Sequence, residues 1–314
     1  MKGDTMIIGL LMVAGLLVTQ NSFTQKNDCV YLFSHGIADT NKQVLGYTQS
    51  DNKTKPYIIT NPFVSFDYPD ASSSMFRINR TQTSFAQENE IQRLSQVFFS
   101  PVMRNKNAVL VGVSRGASVL VNFMGIYNAS NVAALILESP FDCVESIVLA
   151  LTHEKRLSWI PGIKKNGLSI MSFIFCKYNP KGIRPIDLAA HIKQDLPILI
   201  ICSGTDILVP VWSSINIYKI LRESGHYNTY LLILPEGVHA KLINDTKYGS
   251  LYQKVTHAFY KKFQLPHDPA LAQQGIPYLA NCQPDSGSLE SWYPSYHAQN
   301  SPNERIKKNN FKKN

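Results

Sequence analysis

The sequence lacks the features that mark several specialised classes of protein. No Cys-x-x-Cys pair and no cluster of cysteine and histidine has metal-ligand spacing, so we expect no metal site. There is no internal repeat, which argues against a solenoid. No apolar run reaches the ~20 residues that cross a bilayer comfortably. The remaining composition, 44% hydrophobic and 17% charged over 314 residues, is that of a globular protein with a substantial core.

A concentrated basic face is also missing, although 31 Lys and Arg outnumber 22 Asp and Glu. The densest basic stretch is the C-terminal NERIKKNNFKKN, and the remaining excess charge is spread thinly. A short basic end is typical of a solvated tail, and a peripheral contact with a membrane surface is the alternative. We therefore expect no nucleic-acid partner.

The longest apolar run lies near the N-terminus, from Met6 to Val18, and follows Lys2. Its 13 residues suit the core of a signal peptide, and Ser22 or Thr24 supplies a small residue for cleavage. The sequence therefore predicts an exported protein, secreted or periplasmic, with a signal peptide at residues 1–24. An uncleaved membrane anchor and a helix of the mature protein are the alternatives.

The five cysteines are widely spaced and odd in number, so they do not form an evident disulfide framework. Cys202 lies inside an apolar run and is expected to be a buried free thiol. The candidate bridges are Cys143–Cys176 and Cys29–Cys282.

Apolar runs alternate with helix-like stretches over residues 25–263, the pattern of a mostly parallel central sheet flanked by helices. The sequence therefore predicts an α/β domain. The strand-like runs are 29–33, 61–67, 108–113, 131–138, 196–203 and 230–234. The clearest helical stretches are 88–99, 117–127 and 251–263.

Two segments depart from this alternation. Residues 144–186 are apolar, interrupted by proline and glycine, and are expected to form a helical cap inserted between two strands. The apolar content of this cap suits either an acyl-chain site or plain packing on the core. Residues 264–314 are rich in Pro, Gln, Ser and Asn without periodicity, which predicts a flexible C-terminal tail or one that wraps the surface.

The sequence GVSRG joins a buried strand to a helix at residues 112–116. Gly-x-Ser-x-Gly in this context is a nucleophile elbow, in which Gly112 and Gly116 leave room for a strained turn that exposes Ser114. The start of the following helix favours developing negative charge, and the Arg115 N–H is one candidate oxyanion donor. A merely structural tight turn is the alternative.

A serine hydroxyl needs a base, and the base needs an orienting carboxylate. Asp206 follows the strand-like run 196–203, and His239 follows 230–234, so all three groups come after the carboxyl ends of successive strands and should meet at one sheet edge. Asp142, after the preceding strand, is the alternative acid. His226 and His257 lie on helix-like segments and are expected at the surface.

The chain resembles the α/β-hydrolases over residues 29–263, through HGIADT, GVSRGAS, LILESPFD, RPIDLAAHI, LPILIICSGTDILVP and LPEGVHAKL. The resemblance implies that the backbone near Gly36 and Ile37 supplies the second oxyanion donor. In one departure, a single residue separates Gly204 from Asp206, where the family often has two.

These features together predict a serine hydrolase that cleaves a carboxylic ester or thioester through an acyl-enzyme, with Ser114, Asp206 and His239 as the triad. Its partner would be a small-molecule or acylated substrate, and no cofactor is required. The alternatives are a serine peptidase related to the prolyl oligopeptidases and a non-catalytic binding protein with the same fold.

Overall fold

A six-stranded, fully parallel sheet forms the centre of the computed structural model, with the strand order β2-β1-β3-β4-β5-β6. The structure describes residues 29–48, 55–60, 62–74, 76–153, 169 and 177–294. The strands are β1 (Cys29–Ser34), β2 (Phe63–Ser65), β3 (Asn107–Val113), β4 (Val132–Glu138), β5 (Ile198–Ser203) and β6 (Thr229–Leu234). The expected mostly parallel α/β architecture is confirmed.

Seven α-helices surround the sheet within the described residues. They are α1 (Glu88–Phe98), α2 (Arg115–Tyr127), α3 (Val144–His153), α4 (Pro185–Leu188), α5 (Val211–Glu223), α6 (Gly249–Lys262) and α7 (Pro269–Leu279). Short 3-10 turns lie at Asn41–Gly46, Ala189–His191, Leu242–Asn244 and Glu290–Trp292.

The sheet separates two apolar clusters because successive strand side chains point to opposite faces. On β3, Leu110 belongs to the cluster that includes side chains of α1, α2 and α5, whereas Val109 and Val111 belong to the cluster that includes side chains of α6. Both faces are covered, so β3 and β4 are almost entirely buried and their sequences are nearly continuous apolar runs.

The segment after residue 263 contains a helix that its composition does not indicate. Helix α7 packs along α6 so closely that a Cβ on Gly275 would lie 1.9 Å from the Lys254 carbonyl oxygen. Further on, the Leu231 N–H of β6 donates to the carbonyl of Cys282 (2.6 Å). As far as residue 294, this segment therefore follows the surface of the domain with regular structure, which differs from a flexible tail.

Among the described residues, Cys143, Cys202 and Cys282 are buried free thiols. Because Cys282 is free, the Cys29–Cys282 bridge is absent, and Cys202 is the buried thiol expected. Burial raises the pKa of the Cys282 thiol to about 12, which keeps it protonated and unreactive. Cys176, and with it the other candidate bridge, lies outside the described residues.

Two further expectations fall wholly or partly outside the described residues. The signal segment at 1–24 lies wholly outside them, and so does about half of the cap at 144–186, of which α3, residue 169 and residues 177–186 are described. Among the described helices, none has both the length and the apolar character needed to cross a bilayer.

Candidate active site

Ser114 lies in the turn between β3 and α2, in a backbone conformation that is uncommon for residues other than glycine. Its φ is 54° and its ψ is −120°. The two flanking glycines permit this turn for steric reasons. A Cβ on Gly112 would lie 2.7 Å from the Ala117 backbone, and one on Gly116 would lie 2.0 Å from the Ser34 carbonyl oxygen. The GVSRG pattern therefore reflects a crowded, strained strand-to-helix turn.

The Ser114 hydroxyl is within hydrogen-bond distance of a histidine, and that histidine is within the same distance of a carboxylate. His239 Nε2 lies 2.8 Å from Ser114 Oγ, and His239 Nδ1 lies 2.6 Å from Asp206 Oδ2. The structure thus brings together three residues that are far apart in the sequence, at the carboxyl edge of the sheet. Such an arrangement can activate the hydroxyl as a nucleophile.

The Asp206 carboxylate is held rigidly by its own loop between β5 and α5. Its second oxygen, Oδ1, accepts hydrogen bonds from the backbone N–H groups of Leu208 (2.9 Å) and Val209 (3.0 Å). These bonds leave Oδ2 directed at His239, even though the loop has one residue between Gly204 and Asp206. The shorter loop is therefore compatible with an orienting carboxylate.

Asp142, the alternative acid, is buried in a different set of contacts. It accepts hydrogen bonds from the Ser213 hydroxyl, from Asn216 Nδ2 (2.7 Å) and from the Cys143 N–H (2.8 Å). These bonds tie the loop after β4 to α5, and His239 is paired with Asp206 instead. The structure therefore contradicts Asp142 as the acid and gives it a structural role.

The candidate oxyanion donors lie on both sides of Ser114. Arg115 is the first residue of α2, so its N–H has no acceptor within the helix. Gly36 lies beside the serine, since a Cβ there would be 3.6 Å from Ser114 Cβ. The Gly36 N–H, however, donates to Gln43 Oε1 (2.9 Å) and is therefore engaged. The Ile37 N–H has no acceptor among the described residues, which leaves Ile37 and Arg115 as the available pair.

The side chain of Arg115 is buried beneath this loop, a placement that the sequence pattern does not reveal. Its guanidinium pairs with Asp70, lies 3.5 Å from Glu90 Oε1 and is stacked 4.7 Å from the centre of the Tyr68 ring. Its Nη2 also donates to the carbonyl oxygen of Gly36 (3.3 Å). The residue after the nucleophile therefore contacts the glycine loop through its side chain.

A second buried group missed at the sequence level is Glu138, at the end of β4. It accepts a hydrogen bond from the Tyr47 hydroxyl (2.8 Å) and from the N–H of Leu242 (3.3 Å), three residues beyond His239. Burial raises the pKa of this carboxyl. Glu138 thereby ties the His239 loop to the 3-10 turn that follows the Gly36 loop. Its position as a charged residue at the end of an apolar strand is the sequence signal that could have identified it.

A surface cavity of about 460 Å³ adjoins His239. Ile207 and Val238 line it together with the charged side chains of Glu236 and Lys247, which pair with each other. It can accept part of a ligand next to the histidine. The described residues contain no group of three or more His, Cys, Asp and Glu side chains that could hold a metal ion.

Two other histidines are buried, which makes the expectation of surface positions wrong. His226 and His257 are both 0% exposed. His257 donates from Nε2 to the Tyr57 carbonyl (3.1 Å) and accepts at Nδ1 from the Asp268 N–H (3.1 Å), and burial lowers its pKa to about 4. This histidine links α6 to the start of α7 and has a structural role.

At the level of sequence, the chain matches no family model and no curated protein. Solved structures do resemble it. An esterase of Pyrococcus furiosus superposes with a TM-score of 0.51 at 14% identity, covering 76% of this chain and 84% of the esterase.

Two other structures give similar values. Acylaminoacyl peptidase of Pyrococcus horikoshii has a TM-score of 0.52 at 13% identity, covering 80% of this chain but only 39% of the peptidase. A protein of Mycobacterium tuberculosis described as a non-heme bromoperoxidase, BpoC, has a TM-score of 0.50 at 12% identity, covering 74% of this chain and 92% of its own. With the parallel sheet and its topology, these likenesses show that the chain has the α/β-hydrolase fold.

Proposed function

We propose that the protein is a serine hydrolase that cleaves a carboxylic ester or thioester through an acyl-enzyme intermediate. The observation that carries the proposal is the chain of contacts from Ser114 Oγ to His239 Nε2 (2.8 Å) and from His239 Nδ1 to Asp206 Oδ2 (2.6 Å). The strained φ of Ser114 adds support, because such strain is concentrated at functional sites.

In this mechanism Ser114 attacks the substrate carbonyl while His239 takes up the hydroxyl proton. Asp206 keeps the His239 proton on Nδ1 and stabilises the imidazolium that forms. The N–H groups of Arg115 and Ile37 donate to the oxyanion. The leaving group receives the proton from His239, and water, activated by the same histidine, then releases the acyl group.

An ester is favoured over an amide by how much of each structural neighbour the chain matches. The Pyrococcus furiosus esterase is matched over 84% of its length and the acylaminoacyl peptidase over 39% of its length. A peptidase would use the same three groups, so amide hydrolysis is the second candidate. We propose also that the chain acts after export, as its N-terminal apolar run suggests.

A fluorophosphonate probe tests the proposal, since it labels only an activated serine. The wild-type protein and a Ser139→Ala variant should both label, because Ser139 is a buried serine whose hydroxyl has no partner among the described residues. Ser114→Ala should not label and should lose kcat by about 10⁵–10⁶-fold. Failure of the wild type to label would identify a non-catalytic protein.

A substrate screen then separates the two enzymatic candidates. p-Nitrophenyl esters of increasing chain length, an acyl thioester and aminoacyl amides should be compared at equal concentration. Turnover of esters or thioesters that exceeds turnover of amides supports the proposal. Activity confined to amides would replace it with a peptidase.

A further inference from the structure

We propose that the side chains of His35 and Arg115 act as positioning residues that aim the Ile37 N–H into the oxyanion site. This inference rests on the proposed function and deepens it. It concerns a single peptide unit, the one that joins Gly36 to Ile37. The carbonyl oxygen of that unit belongs to Gly36, and its N–H belongs to Ile37.

The carbonyl oxygen of Gly36 is held from two directions. His35 Nδ1 lies 2.7 Å from it, and Arg115 Nη2 lies 3.3 Å from it. Because the peptide unit is planar and trans, the Ile37 N–H points away from these two donors. Fixing the carbonyl oxygen therefore fixes the direction of the N–H.

The tautomer of His35 follows from its partners. Nε2 receives a hydrogen bond from the Tyr68 N–H (3.2 Å), so it has to be the acceptor, and the ring proton resides on Nδ1, facing Gly36. The side chain is 0% exposed, and burial together with the positive charge of Arg115 lowers its pKa to about 4. His35 is therefore a neutral, fixed donor to the Gly36 carbonyl at neutral pH.

The guanidinium of Arg115 is equally constrained. It is 1% exposed and is clamped between the carboxylates of Asp70 and Glu90 on one side and the Tyr68 ring on another. An arginine does not lose its charge, so its bond to the Gly36 carbonyl is charge-assisted. Arg115 thus acts on both donors of the site, by its own N–H and by its side chain.

The neighbouring N–H of Gly36 is not available to donate to an oxyanion. The Gly36 N–H is bonded to Gln43 Oε1 (2.9 Å), while Gly36 itself lies against Ser114. Of the Gly36 and Ile37 amides, the Ile37 N–H is therefore the one without an acceptor among the described residues. An amide that is aimed before the reaction needs no reorganisation when the oxyanion forms.

A matched pair of variants at His35 tests the role of the Nδ1 donor. The amide nitrogen of asparagine can occupy the position of Nδ1, whereas the amide of glutamine reaches the position of Nε2. His35→Gln should lower kcat about 10–100-fold with KM within twofold, a smaller loss than the 10²–10³-fold seen when an oxyanion donor is removed outright. His35→Asn should recover most of that loss.

The role of Arg115 is tested with a paired change, because removing the arginine alone would leave Asp70 buried without a counter-charge. The other carboxylate, Glu90, keeps its hydrogen bonds from the Ser84 N–H and hydroxyl. Arg115→Met combined with Asp70→Asn should lower kcat about tenfold with KM within twofold. His226→Gln is the matched control, since His226 is also 0% exposed but lies after α5, away from this loop. It should leave kcat unchanged.

Phenylboronic acid provides the readout that a purely structural role would not change. Ser114 Oγ adds to boron as its proton passes to His239, and the tetrahedral adduct places an oxygen in the oxyanion site. Across the variants, the inhibition constant should rise by the same factor as kcat/KM falls, as expected of a transition-state analogue. Thermal unfolding of each variant identifies any that fail to fold.

The outcomes separate this inference from the proposed function. Absence of ester turnover and of fluorophosphonate labelling in the wild type overturns both. If the wild type turns over esters normally and His35→Gln has the same kcat as His35→Asn, only the positioning role is overturned. If the His35 variants do not fold, the Arg115→Met/Asp70→Asn protein decides, and an unchanged boronate inhibition constant in that protein overturns the role.

Discussion

Replacing Gly116 by alanine should disable the site through a steric conflict that the structure quantifies. The new Cβ would lie 2.0 Å from the Ser34 carbonyl oxygen and 2.7 Å from the His35 carbonyl oxygen, where real contacts do not fall below 3.0 Å. The start of α2 and the end of β1 would therefore have to separate by about 1 Å, since neither obstacle is a flexible side chain.

That separation acts on both halves of the proposed site, because Ser114 precedes α2 and the Gly36 loop follows β1. A displacement of about 1 Å in such geometry lowers kcat about 10²-fold. Overpacking of this kind costs about 3 kcal/mol of unfolding free energy, at the upper end of its usual range. For a domain of this size, the melting temperature should fall by about 6–12 °C.

The assay measures ester turnover and thermal unfolding for a graded series of glycine variants. Gly112→Ala, with its closest contact at 2.7 Å, should be milder than Gly116→Ala. Gly287→Ala is the control, because its Cβ would meet only an Asp285 carboxylate oxygen at 3.3 Å, on the exposed C-terminal segment. Wild-type kcat and melting temperature in Gly116→Ala would refute the reasoning.

Three further predictions concern other parts of the fold. Asp206→Asn should lower kcat about 10⁴-fold without unfolding the protein. Asp142→Asn should instead lower the free energy of unfolding, measured in urea, by about 1–3 kcal/mol and leave kcat nearly unchanged. Equal kcat losses in the two variants would contradict Asp206 as the residue that orients His239. For His257 the pKa is about 4 in the fold and about 6.5 when unfolded, so the unfolded chain binds more protons between these values and stability should fall as pH drops from 6.5 to 4. His257→Gln should reduce the slope of unfolding free energy against pH in this range by up to about 1.4 kcal/mol per pH unit, as measured by urea titrations. An unchanged slope would exclude this histidine as the cause. Gly275→Ala should separate α7 from α6 and lower the melting temperature by several degrees, because its Cβ would lie 1.9 Å from a carbonyl oxygen of α6.

The parallel sheet and the contacts of Ser114, Asp206 and His239 follow from local patterns in the sequence. Apolar runs of strand length mark the strands, and in a parallel sheet all carboxyl ends meet at one edge. Residues that directly follow those runs therefore become neighbours whatever their distance along the chain. This topological rule, rather than any single motif, is why an aspartate and a histidine could be named from sequence.

The groups that position these residues could not be read from the sequence, because their partners are distant and of ordinary type. The Arg115 side chain looks exposed in GVSRG, and only tertiary structure shows that Asp70 and Glu90 surround it. His257 looks like a surface residue of a helix, but it is buried in α6 through contacts with the backbone of Tyr57 and Asp268. Helix α7 itself was missed because Pro, Gln and Gly weaken its helical pattern, and its packing on α6 overrides that weak propensity.

The contact of Leu231 with Cys282 has a consequence for the behaviour of the protein in solution. β6 is the last strand of the sheet, and such a strand offers unpaired backbone groups to any other chain. Here the Leu231 N–H is bonded to the Cys282 carbonyl, and the Gln283 amide donates to the Thr229 carbonyl (3.1 Å). A chain clipped before residue 282 would therefore expose a ready template for strand pairing between molecules, and aggregation rather than loss of catalysis would be its first symptom.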